Sequence, residues 1–148
     1  MVAPAGAAKG NRPSVQYVEG SYSGTTVSVA HCPFPSGAHV VADVSVRASS
    51  LGRGALHYDL EVGLPGGTWR FVASDGKSTI SGEAGISFGP GIQVQVHLLV
   101  TSGTGKFAGV SAGNLTTYGE IPDSTVPCGV TSMASISGAM AGNLVFNG

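Results

Sequence analysis

Apolar residues recur at every second position in run after run of this chain, and no stretch carries the 3.6-residue period of a capped helix. Val40, Ala42, Val44 and Val46 alternate with Val41, Asp43, Ser45 and Arg47. Leu56, Tyr58, Leu60 and Val62 alternate with His57, Asp59 and Glu61, and a Leu64-Pro65-Gly66-Gly67 turn ends that run. Trp69, Phe71 and Ala73 alternate with Arg70 and Val72 before Asp75-Gly76, a hairpin signal. Ile92, Val94, Val96 and Leu98 alternate with Gln93, Gln95, His97 and Leu99. Successive side chains of a strand point to opposite faces, so each run reads as a strand with its apolar set facing a core. In 15–29, Val15, Tyr17, Val27 and Val29 share a parity that is expected to face inward, and Glu19 falls with them; a bulge at Gly20 or Gly24 would reset the alternation. Seven to nine strands joined by short turns follow. The density of glycines inside them (Gly20, Gly24, Gly82, Gly85, Gly113, Gly138, Gly142) favours a small antiparallel barrel of about eight strands, with a two-sheet β-sandwich as the alternative.

At 148 residues the chain suits one domain. We expect a flexible N-terminal segment over 1–13, rich in Ala, Gly and Pro, and a single β-barrel domain over 14–148. Charged residues make up only 10% of the sequence, and Lys+Arg 7 against Asp+Glu 8 gives a net charge of -1. That balance offers no footprint for nucleic acid or an anionic membrane, and no apolar run is long enough for a membrane span. The leading segment has no apolar h-region and reads as a mature N-terminus. Cys32 and Cys128 each sit beside a proline, in HCPFP and VPCG, and an even cysteine count points to one disulfide and a secreted, periplasmic or extracellular setting. By loop entropy such a bridge is worth roughly 4 to 5 kcal/mol. Cysteine and histidine are not clustered at ligand spacing, so no metal is expected.

Catalytic motifs are sparse. No Gly-x-Ser-x-Gly elbow precedes a helix, and His31, His39, His57 and His97 are not paired with a nucleophile by spacing. Asp43, Asp59, Glu61, Glu83 and Glu120 fall on polar faces or in turns, as solvated carboxylates do. Glu19 is the exception by parity: burial beside Val15 and Tyr17 would raise its pKa and fit it for acid/base work. Tyr58 is expected to turn its ring inward among Leu56, Leu60 and Val62, where its hydroxyl needs a partner or a ligand. Asn114-Leu115-Thr116 fits a glycosylation sequon.

The segment TSGTGKFAGVSAGNLT, Thr101 to Thr116, resembles allene oxide cyclase-like and dirigent-like β-barrels, in which a short turn carries an aromatic plug into the barrel end. The resemblance implies eight strands, a secreted or targeted protein, no cofactor, and an apolar cavity that binds a hydrophobic molecule and in some members steers its cyclisation. Phe107 would be the plug. The phrase LLVTSG is similar to avidin-type barrels, but Trp69 is the chain's one tryptophan and biotin binding is not expected. The first expected function is a pocket protein for a small hydrophobic ligand, a cofactor-independent cyclase of isomerase type if it is an enzyme. Glu19 and Tyr58 are its candidate catalytic groups, and Tyr17, Trp69, Phe71 and Phe107 its candidate ligand-binding residues. The alternative is a non-catalytic secreted structural or interaction module with a filled core. A homo-oligomer is left open.

Overall fold

The computed structural model describes residues 13–30, 38–62, 65–88, 93–120 and 131–147. Cys32 and Cys128, and with them the expected disulfide, lie outside the described residues. The chain is all-β. Eight antiparallel strands close into a barrel in chain order: β1 (Ser14–Ala30), β2 (Ala38–Ala48), β3 (Gly52–Glu61), β4 (Gly67–Ala73), β5 (Thr79–Phe88), β6 (Gln93–Gly103), β7 (Val110–Glu120) and β8 (Thr131–Phe146). The closing pair, β1 with β8, runs from Ser14↔Phe146 to Val29↔Thr131. Closure leaves every strand paired on both sides, which removes the exposed edges that an open sheet must protect.

The alternation read from β2, β3, β4 and β6 holds: Val44, Val46, Leu56, Tyr58, Leu60, Trp69, Phe71, Val96 and Leu98 are buried in one cluster. In β1 the parity is opposite to expectation. Val18, Tyr22 and Thr26 are buried, whereas Tyr17 is 76% exposed, Val15 is half exposed and Glu19 is exposed. The cause is cross-strand register. Tyr22 pairs with Val46, Gly24 with Val44 and Thr26 with Ala42, and partners in a ladder share a face, so β2 fixes which half of β1 turns inward. No bulge resets β1 along its pairing with β2 or β8.

Several inward glycines make room for aromatic rings. A Cβ at Gly54 would stand 2.5 Å from the Phe71 ring. One at Gly82 would stand 3.0 Å from the Trp69 indole nitrogen, which passes over β5 and donates to the Leu99 carbonyl on β6 at 2.9 Å. The register shift at Ser81/Gly82 lies in the same stretch. One at Gly119 would collide with the Tyr22 hydroxyl, which donates to the Tyr118 carbonyl at 3.0 Å.

One barrel end is sealed. Leu51, in the turn after β2, is 1% exposed. A short 3-10 turn, Gly105–Phe107, carries Phe107 inward, where its ring meets Phe71 edge to face with centroids 6.1 Å apart. Gly105 has φ 61°, and a Cβ there would collide with Ser78. Ser78 ties this plug to the β4–β5 turn: its hydroxyl accepts from the Lys106 amide at 2.9 Å and donates to Asp75 at 2.6 Å. Asp75 also accepts from the amides of Lys77 and Ser78, both at 2.8 Å. These hydrogen bonds, led by those from Ser78, hold the Asp75 carboxyl at about 2, below the usual range.

Candidate functional site

The expected site residues do not converge. Glu19 lies on the outer wall, its backbone N–H bonded to the Ser49 hydroxyl at 3.0 Å and its carbonyl to the Ser49 amide at 3.0 Å. Tyr17 is on the same outer face, so both are corrected from inward to outward for the register reason given above. Trp69, Phe71 and Phe107 are 2%, 1% and 2% exposed and serve as core and plug. Tyr58 alone of the two catalytic candidates faces inward, at 4% exposure. Burial, then the neighbouring Tyr22, push its phenol far above the ordinary tyrosine value. It is therefore protonated at neutral pH, suited to donate a hydrogen bond and unsuited to act as a base. The Tyr22 phenol is likewise raised by burial. Thr26 and Thr117 are also buried and join these two phenols as polar groups of the interior, Ser78 being the buried polar residue at the plug; the sequence pattern missed Tyr22 and Thr26 because β1 was given the wrong parity, and Thr117 because no alternation was assigned to β7.

Two hollows among the described residues open on the outside of the barrel. One of about 420 Å³ crosses β1 to β4 and is lined by the exposed side chains of Ser23, Asp43, Ser45, Ala55, His57 and Arg70, with Val72 beside them. A second, of about 510 Å³, adjoins it through Ser23 and Ser45 and adds Ser21, Arg47 and Arg53. The ladder explains the trench. Ser23, Ser45, Ala55 and Val72 are successive cross-strand partners, so one outer row is built almost wholly of small side chains. On one flank runs Thr25, Asp43, His57, Arg70 and Ser81; on the other, Ser21, Arg47 and Arg53. Rows on one face are two residues, roughly 7 Å, apart along the strands, so a low row between two tall ones is a groove.

Its electrostatics are uneven. Asp43 accepts from the His57 imidazole at 2.8 Å, and farther along the same wall His39 and Asp59 are 2.6 Å apart, a contact that raises the His39 pKa. Among the described residues, none of Arg47, Arg53 and Arg70 forms an ion pair. His97, expected on the exterior, is exposed and bonded to the Ser87 hydroxyl at 2.8 Å. Among the described residues no group of three His, Cys, Asp or Glu side chains could hold a metal ion, and no helix is long and apolar enough to cross a membrane.

No family model, curated protein or solved structure matches this chain. The resemblance to allene oxide cyclase-like and dirigent-like barrels therefore rests on the Thr101–Thr116 segment alone.

Proposed function

We propose that the protein is a non-catalytic binding module, a filled barrel that serves as a rigid scaffold for recognition on its outer wall. The observation that carries this is the placement of space. Large inward side chains from all eight strands pack into one cluster, while the described hollows open outward among exposed polar groups. Binding sites favour concave surfaces with a few fixed polar groups, and the trench over β1 to β4 has that form. Rigidity helps, because a groove built on paired strands needs little ordering when it binds. An extracytoplasmic setting, read from the two cysteines and the scarcity of charge, suits such a module.

A second reading, a small hydrophobic ligand held within the barrel, is favoured by Tyr58. Its hydroxyl makes no hydrogen bond among the described residues, and since no buried side-chain polar atom there lacks a partner, that oxygen borders open space although the residue as a whole is 4% exposed. Four inward residues on the half away from the plug are small, Thr26, Ala42, Ala84 and Thr117, and they stand among Leu60, Val94, Val96 and Ile136. A ligand oxygen accepting from Tyr58 would complete that layer, and catalysis there would be limited to holding and orienting.

Trp69, the chain's one tryptophan, separates the two. Titration with the neutral apolar probe N-phenyl-1-naphthylamine is expected to leave its emission blue-shifted and unquenched. Saturable energy transfer from Trp69 to the probe, abolished by competing apolar ligands, would support the interior pocket instead.

A further inference from the structure

Arg47 and Arg53 stand directly opposite each other on β2 and β3. Like charges in that position repel and are destabilising in a sheet. The chain holds only seven Lys and Arg residues in all, so pairing two of them across a ladder is a conspicuous use of charge. Neither forms an ion pair among the described residues: Glu19, exposed one row from Arg47 on the neighbouring strand, is not bonded to it, and Asp43 in the trench is engaged by His57. Arg70 stands on the far flank, two rows from the pair, roughly 13 Å by strand geometry. Between them the floor presents the hydroxyls of Ser23 and Ser45, with Ser21 beside Arg47.

We propose that this trench binds an acidic oligosaccharide, with an oxyanion of one sugar neutralising the Arg47–Arg53 pair and a second charged sugar reaching toward Arg70. This rests on the outer-wall reading above and names its ligand class. Guanidinium forks match the paired oxygens of carboxylates and sulfates, and two forks facing one anion convert repulsion into a bidentate clamp. The serine floor supplies donors and acceptors for sugar hydroxyls. A peptide fits less well, because every strand is paired on both sides and the wall offers no free backbone edge to an added strand. Single-stranded nucleic acid fits less well too, since the trench exposes no Phe, Tyr or Trp for a base to stack on and its one imidazole, His57, is held by Asp43. Net charge misses such a site because it averages over the whole chain, and the arginines come together only when β2, β3 and β4 pair.

Calorimetric titration with tetragalacturonate, its fully methyl-esterified neutral counterpart and a sulfated chondroitin tetrasaccharide tests the proposal. We expect binding of at least one of the two acidic chains, weakened by salt, and at least tenfold weaker binding of the neutral ester. The two acidic arms tell carboxylate from sulfate as the natural charge. Arg47→Gln/Arg53→Gln, with its fold verified by thermal unfolding, is expected to lose at least tenfold in affinity. Absence of binding by both acidic chains, equal binding of the ester, or unchanged affinity in the double variant would overturn the anion assignment. Ser45→Trp, which fills the trench floor without removing charge, separates the two levels. If it abolishes binding that ignores the arginines, the outer groove stands and the acidic ligand falls. If acidic chains bind Ser45→Trp as well as the parent protein, the outer groove itself is wrong.

Discussion

The two faces of β2, β3 and β4 are written by the same stretches of chain and obey opposite rules. Inward, Val44, Leu56, Tyr58, Trp69 and Phe71 are at most 4% exposed and interlock with the rest of the cluster. Outward, Ser45 and Ala55 are too small to cover the wall, and the charges beside them are either satisfied in Asp–His pairs or left facing one another as arginines. The inner face is optimised for packing. The outer face carries a feature, the Arg47–Arg53 pair, that local electrostatics argue against. Features that oppose local stability are where function is to be sought, because the folded state tolerates them only when something else selects for them.

If that division is real, substitutions on the two faces must have separable effects. The largest is expected inside. Phe71→Ala removes a ring that fills the space over Gly54 and supports Phe107, and should cost about 3–5 kcal/mol in denaturant unfolding. As long as the variant stays folded, ligand affinity at the trench should not change. Gly119→Ala is next, at about 1–3 kcal/mol, because the new methyl group collides with the Tyr22 hydroxyl. Combining it with Tyr22→Phe should recover part of that loss, and strict additivity of the two would mean that the collision is with backbone alone.

Acid should act on the plugged end. The Asp75 pKa is lowered from 3.8 to about 2, so its contribution to stability is complete above the unfolded value and is lost as pH falls through the folded one, a window from about pH 4 to about pH 2. Asp75→Asn should flatten the acid limb of the stability profile in that window; an unchanged limb would detach the Asp75–Ser78–Lys106 bonds from stability. The smallest effect is expected outside. Arg53→Gln relieves the repulsion with Arg47 and should leave stability unchanged or raise it by a few tenths of a kcal/mol. A loss above about 1 kcal/mol would make Arg53 a packing residue.

Much of the fold was legible. Alternation in 40–47, 55–62, 69–73 and 92–98 requires only that one face be buried, and the Asp75-Gly76 turn sits where it was expected, with Gly76 at φ 72°. Phe107 as an end plug came from the resemblance of the Thr101–Thr116 segment to allene oxide cyclase-like and dirigent-like barrels, not from periodicity. What failed in β1 was parity. Val15, Tyr17 and Val18 are all apolar, both parities were populated, and the decision lay with β2, a partner that periodicity within one strand does not specify. Glu19 followed Tyr17 to the wrong face for that reason. The trench was illegible on different grounds: Ser23, Ser45, Ala55 and Val72 share a row only through the register of three strand pairs. Arg47 and Arg53 are six positions apart in sequence, and only the turn at 49–51, closed by Ser50 at φ 65° and Gly52 at φ 77°, sets them opposite each other.

Methyl-resolved NMR during titration with tetragalacturonate tests the central claim most directly, because reporters lie on both faces of the same strands. Ala55 and Val72 line the trench, while Leu60 and Leu98 are buried inside the barrel. Recognition on the outer wall predicts saturable shifts at Ala55 and Val72 with Leu60 and Leu98 unmoved. Shifts centred on Leu60 and Leu98, with Ala55 silent, would place the ligand inside the barrel and contradict the account.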